Sequence, residues 1–359
     1  MDVPGYRIES ELHRGEKYVV FLATRLKDNE KVTLKTFSQD PLTDYEASKL
    51  KQEFEISDYL SFPGIIQVQE LETYRNLPVI VSEYFEGISL KEFILFRNLN
   101  LKDFLKISIE LAQTIGEIHD RGVIHKDIKP SNIIVSKDLS IIKVTDFGIS
   151  TRLRLETFHN NALESLEGTL AYISPEQTGR TNRAIDYRSD LYSLGVTLYE
   201  LITGRLPFEM GDPLELLHSH IAVVPDSPID LDLTIHPIIS EIIMKLLEKN
   251  AEDRYQSAYG LKKDLEICLE AFYNNRFTED FKIALGEFDF SGRLQTINKL
   301  YGRRKELNSL SEELNKIPTE EKKELLLITG QPGTGKSALI TEFIGILNPL
   351  DFVPLIGKF

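Results

Sequence analysis

Hydrophobic and polar residues alternate along the first part of the chain in the manner of β-strands. The alternation predicts three strands, at residues 6–9, 18–23 and 31–35. Between residues 44 and 60 the apolar positions recur at roughly helical spacing, which predicts an amphipathic helix. An uninterrupted apolar run at residues 78–81 then predicts a buried strand. The chain therefore begins with a small, strand-rich region that contains one helix.

The pattern changes to a longer helical period further on. Apolar residues recur from residue 101 to residue 121, and Gly122 follows at a position suited to ending a helix. Two short β-branched runs come next, at residues 133–135 and 141–144. Each of these runs adjoins a polar stretch, so the candidate chemistry lies beside the ends of short strands.

Composition narrows the class of protein. With 359 residues and 42% hydrophobic residues, the chain can bury a sizeable core. A net charge of −14 argues against a nucleic-acid partner, because phosphate backbones are bound by basic surfaces. The single cysteine, Cys268, permits no internal disulfide, and no run reaches the roughly 18 apolar residues of a membrane span. We therefore expect a cytoplasmic protein without a membrane span.

Acidic and amide side chains stand at the positions that phosphoryl transfer requires. Asp127 and Asn132 lie five residues apart in one predicted loop, and Asp146 follows the run at 141–144. One carboxylate can accept the proton of an attacking hydroxyl, while an amide and a second carboxylate can hold the metal ions that clamp ATP.

Eukaryotic-type serine/threonine protein kinases, as found in bacteria, carry a similar arrangement. This chain has H-K-D-I-K-P-S-N ending at Asn132 and D-F-G beginning at Asp146, with Lys126 where the family has arginine. The resemblance implies that Asp127 is the proton acceptor, that Lys129 contacts the transferred phosphoryl group, and that Asn132 and Asp146 hold Mg²⁺ or Mn²⁺. It also implies an α+β, bilobal kinase fold with a small β-rich N-lobe and a larger helical C-lobe.

The resemblance extends to the ATP-binding lysine. Residues 32–35 read V-T-L-K, which is similar to the family's V-A-I-K strand, so Lys35 would neutralise the α- and β-phosphates. Its glutamate partner is expected in the helix at 44–60. We favour Glu53 over Glu55, because two residues along a helix turn the second side chain away from the first.

Further nucleotide contacts are implied by the same resemblance. The family's three loop glycines correspond here to His13, Gly15 and Tyr18, so only the middle glycine is present. Residues 82–87 resemble the hinge between the lobes, with Ser82 at the gatekeeper position. The positions implied to contact ATP are Gly15, Val20, Glu83 and Phe85.

Later motifs continue the match in order. The stretch from Asp146 to S-P-E at residues 174–176 resembles an activation segment. Asp190 is at the position that braces the family's catalytic loop, and Arg254 is placed to pair with Glu176. His125 is expected to be a packing residue.

A second nucleotide motif lies near residue 330. G-x-x-x-x-G-K-S ends at Ser337, between a predicted strand at 324–329 and a predicted helix. Backbone amides at such a helix start cradle phosphates, and the motif resembles the opening of an AAA-like, STAND-type signalling ATPase. The phosphate-binding candidates are Gly333, Gly335, Lys336 and Ser337.

We predict four segments: a kinase N-lobe at 1–86, a C-lobe at 87–272, a linker at 273–299, and the incomplete start of an α/β P-loop ATPase domain at 300–359. This order resembles the N-terminal part of large multidomain bacterial sensors, which implies that further signalling domains follow. One hypothesis is an active ATP-dependent kinase that modifies Ser or Thr of a protein substrate. The alternative, favoured by His13 and Tyr18 in place of glycines, is a pseudokinase-like nucleotide-binding module that regulates the attached ATPase.

Overall fold

An antiparallel sheet of five strands forms the N-terminal lobe, in the order β1-β2-β3-β5-β4. The computed structural model describes residues 3–290 except 16, 39–43, 76, 97–98, 153–169, 182 and 210, together with residues 309–310, 329, 339 and 343. The strands are β1 (Tyr6–Arg14), β2 (Tyr18–Arg25), β3 (Lys31–Phe37), β4 (Val68–Tyr74) and β5 (Leu77–Glu83). One helix, α1 (Asp44–Leu60), crosses from β3 to β4.

The alternation along β3 separates the two faces of this sheet. Val32 and Leu34 are fully buried and join an apolar cluster on one face. Phe37 belongs to a different cluster, in which it packs with Leu50 of α1 and Ile80 of β5. Because side chains two apart in a strand share a face, Lys35 points to the same side as Phe37, toward α1.

The C-terminal lobe is mainly helical. Its helices are α2 (Leu90–Phe96), α3 (Leu101–Asp120), α4 (Arg188–Thr203), α5 (Pro213–Ala222), α6 (Pro228–Leu231), α7 (Pro237–Leu246) and α8 (Ala258–Tyr273). Short strands β6 (Ile88–Ser89), β8 (Ile133–Val135) and β9 (Ile142–Val144) form a three-stranded sheet in the order β6-β8-β9. Strands β7 (Val123–Ile124) and β10 (Thr151–Arg152) form an antiparallel pair.

The described lobes confirm the predicted α+β bilobal architecture. Helix α3 covers the predicted helical segment, begins at an Asn100 cap whose side chain accepts from the Asp103 N–H, and is followed by Gly122. Gly122 has φ of +75°, a backbone conformation that favours glycine. In the part of the chain that the structure describes, no helix has both the length and the apolar content needed to cross a membrane.

Backbone hydrogen bonds join the two lobes behind the expected site. The Val144 N–H donates to Gly64 O at 2.9 Å, and the Ile66 N–H donates to Val144 O at 3.0 Å. The Ile65 side chain between them is fully buried. The turn after α1 is thus fixed to β9, the strand that precedes Asp146.

Residues beyond α8 pack onto the C-lobe. The apolar side chains that contact its core are Phe277, Phe281, Ile283 and Leu285. The rings of Phe277 and His236 have centroids 4.1 Å apart, and His236 Nε2 lies 2.8 Å from the Thr278 carbonyl oxygen. The four apolar residues and Thr278 fall within 273–299, the segment for which we predict a linker.

Asp289 fixes the end of this extension to the start of α8. Its carboxylate accepts a 2.8 Å hydrogen bond from Ser257 Oγ and a second from the Gln256 N–H. Ser257 is itself the N-terminal cap of α8, so the carboxylate lies at the positive end of the helix dipole. A Cβ built on Gly260 would lie 2.2 Å from Asp289 Oδ1, so this close approach requires glycine.

We predict that Asp289→Ala lowers the free energy of unfolding of the two lobes by about 1–2 kcal/mol, because two donors at the start of α8 lose their acceptor. Denaturant titration of the intact chain measures this change. Glu287→Ala, an exposed residue of the same extension, is the control and should leave stability unchanged. Equal midpoints for the two variants would contradict the role of Asp289.

Candidate active site

Lys35 and Glu53 form an ion pair between β3 and α1. The Lys35 ammonium donates to both carboxylate oxygens of Glu53, at 2.7 and 2.9 Å. Glu53 is 6% exposed, whereas Glu55 is exposed to solvent. The structure thus places Glu53, and not Glu55, against the sheet face that carries Lys35.

Asp146 is the second carboxylate at the same ammonium, with Oδ1 at 3.0 Å from Lys35 Nζ. Burial opposes ionisation of Asp146, but the Lys35 charge outweighs it and lowers the pKa of Asp146 to about 2. For Glu53, burial dominates and raises the pKa to about 7, with Lys35 acting in the opposite direction. Asp146 is therefore the firmly anionic partner, as a metal ligand must be.

The catalytic loop brings three predicted residues together. Lys129 Nζ lies 2.7 Å from Asp127 Oδ2, and Asn132 Nδ2 donates to the same oxygen at 2.9 Å. Asn132 Nδ2 also donates to the Asp127 carbonyl at 2.9 Å. Asp127 Oδ1 is buried and has no hydrogen-bond partner among the residues that the structure describes. One carboxylate oxygen thus has two polar partners, and the other has none among the described residues.

Asp190 supports this loop from inside the C-lobe, which confirms its predicted bracing role. Its carboxylate accepts hydrogen bonds from the N–H groups of His125 and Lys126, at 2.8 and 2.7 Å. His119 Nε2 lies 2.8 Å from Asp190 Oδ2. Burial alone would raise the pKa of Asp190, but the hydrogen bond and charge of His119 hold the pKa below its usual value.

Two residues of the site have left-handed backbone conformations. Lys126 has φ of +68° and Asp146 has φ of +69°. For non-glycine residues such conformations cost about 1–3 kcal/mol and persist only where the surroundings fix them. Lys126 is fixed at both peptide groups, because its N–H donates to Asp190 and its carbonyl accepts from Gln177 Nε2 at 2.8 Å.

His125 links the loop to Asp146 by packing, as predicted. Its ring centroid lies 4.7 Å from that of Phe147, the residue after Asp146. Its Nε2 lies 3.2 Å from the Thr145 carbonyl oxygen. His125 is fully buried, so it orders the site without facing a substrate.

The predicted pair between Arg254 and Glu176 is confirmed. Arg254 NH1 and NH2 donate to the two Glu176 oxygens at 2.7 and 3.0 Å, and both residues are buried. Ser189 Oγ donates to Glu176 as well, at 2.7 Å. This pair anchors the end of the segment that runs from Asp146 to residue 176.

The nucleotide-contact candidates lie along the sheet and the hinge. Val20 pairs with Lys35 across β2 and β3, and Gly15 lies in the turn before β2, where its N–H donates to Tyr18 O at 2.9 Å. A Cβ on Gly15 would make only ordinary contacts, at 3.6 Å. Glu83 ends β5, and Phe85 follows it in the connection to the C-lobe.

Sequence reasoning missed a partly buried ion pair at the hinge. Lys143 of β9 donates to Glu83 Oε1 at 2.5 Å, and its ammonium lies 5.5 Å from the Phe85 ring centroid. The Gln67 N–H donates to the same Glu83 oxygen at 2.8 Å. A lysine inside a short, otherwise apolar strand was the available signal, since such a charge needs a partner.

Several predicted positions lie outside the described residues. They comprise most of the segment between Asp146 and residue 170, and the P-loop candidates Gly333, Gly335, Lys336 and Ser337.

Asn132 and Asp146 carry oxygen donors of the kind that suits a hard divalent cation. Asn132 offers an amide oxygen and is 5% exposed, while Asp146 offers an ionised carboxylate. Mg²⁺ is typically held by one or two protein carboxylates together with phosphate oxygens and water. The donor set therefore fits a metal–nucleotide complex better than a metal bound by protein alone.

Family models match two regions of the chain. A model described as a protein kinase domain matches residues 6–265, and one described as an AAA ATPase domain matches residues 299–351. The two matches follow the order of the two nucleotide motifs.

Curated proteins with related sequences include bacterial kinases. The chain is 32% identical to the serine/threonine-protein kinase PrkC of Bacillus subtilis, over 76% of this chain and 42% of that protein. It is 32% identical to the serine/threonine-protein kinase PknB of Mycolicibacterium smegmatis, over 72% of this chain and 42% of that protein. It is 33% identical to the hybrid signal transduction histidine kinase G of Dictyostelium discoideum, over 69% of this chain and 10% of that protein. The chain thus spans less than half the length of each of these relatives.

We predict that Asp190→Asn lowers the free energy of unfolding of the two lobes by about 3–5 kcal/mol, because an amide has only one oxygen to accept from two backbone N–H groups. Since its pKa is lowered, the contribution of Asp190 is present at neutral pH and is lost as the pH falls through the folded-state pKa. Denaturant titration at neutral pH measures the loss. The exposed residue change Asp280→Asn is the control, and equal stabilities would refute the bracing role.

Proposed function

The chain belongs to the protein kinase family, and on that premise we propose that it transfers the γ-phosphoryl group of ATP to serine or threonine hydroxyls of a protein substrate. The observation that carries the proposal is the convergence of two groups of side chains. Lys35 contacts both Glu53 and Asp146, and Asp127 contacts both Lys129 and Asn132. These are the groups that phosphoryl transfer needs for binding phosphate, holding metal and accepting a proton.

Asp127 accepts the proton in this proposal. Lys129 and Asn132 hold Oδ2, so the buried Oδ1 is the oxygen that faces the incoming hydroxyl. The hydroxyl oxygen bonds to the γ-phosphorus while the bond to the bridging β–γ oxygen breaks. ADP leaves, and the hydroxyl proton passes to Asp127.

The two lysines bind phosphate oxygens. Lys35 is held by Glu53 and Asp146 at a point where its ammonium neutralises the α- and β-phosphates. Lys129 lies beside Asp127 and can contact both that carboxylate and the γ-phosphoryl group. Since catalysis of this reaction depends on positioning and charge, the fixed lysines contribute directly.

Asn132 and Asp146 hold the divalent cation in this proposal, which we assign as Mg²⁺ or Mn²⁺. Such a cation would supply positive charge beside the phosphate oxygens during the transfer. The low pKa of Asp146 keeps its carboxylate ionised for this task at neutral pH.

The hinge holds the adenine. We assign backbone groups of Glu83 and Phe85 to the adenine edge and Val20 to the face above it. The Lys143 pair with the Glu83 side chain supports this assignment, because it fixes the hinge to the strand that leads to Asp146. We assign Gly15, in the turn before β2, to the nucleotide phosphates.

The remaining assignments concern partners. We propose that Gly333, Gly335, Lys336 and Ser337 bind the phosphates of a second nucleotide, supported by the AAA ATPase match. We also propose a cytoplasmic protein that has no nucleic-acid partner, supported by the net charge of −14 and one buried cysteine.

A second candidate function is nucleotide binding without transfer. It is favoured by His13 and Tyr18, which occupy two of the family's loop-glycine positions. A transfer assay with labelled ATP and a generic protein substrate separates the two candidates. Labelled phosphoserine or phosphothreonine supports the kinase, whereas ATP binding without label on protein supports the regulatory module.

We predict that Asp127→Asn and Asp146→Ala each lower kcat by about 10²- to 10⁴-fold, because one removes the proton acceptor and the other a metal ligand. The measurement is phosphate transfer from labelled ATP by the intact chain. The exposed residue change Asp58→Asn on α1 is the control and should retain full activity. If Asp127→Asn keeps wild-type activity, the assignment of this loop is wrong.

Metal removal supplies an independent test. A chelator should abolish transfer, and added Mg²⁺ should restore it. Asn132→Ala should raise the half-saturating Mg²⁺ concentration by at least about tenfold, because one oxygen ligand is lost. An unchanged metal dependence in this variant would exclude Asn132 as a ligand.

A further inference from the structure

Tyr18 occupies an unusual place beside the ATP-binding lysine. It begins β2 and pairs with Phe37 of β3. The family resemblance assigns the third glycine of the loop to this position. Its ring centroid lies 4.8 Å from that of Phe37, with an angle of 41° between the planes. The ring is half-buried, so this contact fixes it without removing it from the site.

The same ring contacts Lys35. The Lys35 ammonium lies over the Tyr18 ring, 4.9 Å from its centroid, which is within the range of a cation–π interaction. Lys35 and Phe37 are two residues apart on one strand, so the ring that packs on Phe37 also reaches the lysine. Among the residues that the structure describes, the Lys35 ammonium thus contacts two carboxylates and one aromatic face.

The phenol remains neutral in this position. Burial raises the pKa of Tyr18 to about 12, although Lys35 acts in the opposite direction. The ammonium therefore meets the ring of a neutral phenol and not a phenolate. An attraction of this kind orients the lysine without competing with phosphate for its charge.

We propose that Tyr18 is a positioning residue: its ring keeps the Lys35 ammonium where the nucleotide phosphates bind. The inference rests on the proposed ATP site. A lysine side chain has four rotatable bonds, and ordering it during binding costs free energy. A ring that orders it beforehand removes part of that cost. The aromatic residue would thereby offset the affinity lost with the missing loop glycines.

The first test compares Tyr18→Leu with Tyr18→Phe in the intact chain. Leucine keeps the apolar contact with Phe37 but removes the aromatic face, whereas phenylalanine keeps both. To exclude the proposed P-loop site, every protein carries Lys336→Ala, and Mg²⁺·ATP is the probe. Tyr18→Leu should raise the Kd and the KM for ATP about 3- to 30-fold, and Tyr18→Phe should stay within about twofold of its parent.

A purely structural role for Tyr18 gives a different pattern. Loss of packing on Phe37 would lower the melting temperature and the active fraction, so kcat would fall while the KM for ATP stayed constant. The proposal instead expects a change in KM with kcat nearly constant, since bound phosphates hold Lys35 once they are present. Tyr273→Leu is the control and should change neither kcat nor KM. It removes another tyrosine–lysine contact, at an exposed site where the ring centroid lies 5.6 Å from Lys102 Nζ.

The second test asks whether Tyr18 acts through Lys35. In a Lys35→Met background, Tyr18→Leu should cause no further loss of Mg²⁺·ATP binding. A loss as large as in the parent, or a Tyr18→Leu variant with parental affinity, would overturn the proposal. This test measures ATP binding, so its result is independent of the kinase assignment. If the chain transfers no phosphate but its ATP binding depends on Tyr18, the proposed activity is refuted and this inference stands.

Discussion

The Asp190 carboxylate lies inside the C-lobe, where it accepts hydrogen bonds from two consecutive peptide N–H groups, those of His125 and Lys126. This contact fixes the direction of the chain just before Asp127. It also holds Lys126 in a left-handed conformation that the residue would not otherwise adopt. The position of Asp127 therefore depends on a charge buried beneath the loop, and the loop alone does not determine it.

The upper half of the site depends on how one positive charge is shared. Lys35 lies between Glu53 of α1 and Asp146 beside β9, so the ammonium joins the two lobes electrostatically. The backbone bonds between Val144 and the turn after α1 set the distance over which this charge acts. A displacement of α1 would leave Asp146 with a larger share of Lys35, and the lysine would then be less available to phosphate. The structure thus couples the position of α1 to the charge environment of Asp146.

Local pattern was sufficient for much of this arrangement. The alternation in β3 placed Lys35 on one face, and helical spacing distinguished Glu53 from Glu55. Motif spacing located Asp127, Asn132 and Asp146, and it anticipated the contacts of Asp190 and Arg254.

Contacts between distant segments were harder to predict. Lys143 pairs with Glu83, which lies sixty residues earlier, and the local hydrophobic pattern does not indicate such a pair. The sequence shows Tyr18 only as a replacement for a loop glycine. Its contact with Lys35 depends on the pairing of β2 with β3, which the local pattern does not show. The packing of Phe277 and Phe281 on the core likewise depends on a surface that earlier helices form, and the local sequence does not indicate it.

The contact between Asp289 and the start of α8 affects when the C-lobe can finish folding during synthesis. The kinase family match ends at residue 265, yet the C-lobe core also receives side chains from the extension that follows α8. During synthesis, domains fold as units while the chain leaves the ribosome. The donors at the start of α8 gain their acceptor only once Asp289 has left the ribosome. The C-lobe therefore completes its packing after residue 265, where the family match ends, has been translated. Ribosome pausing shortly after residue 265 would therefore leave apolar surface of the C-lobe uncovered for longer.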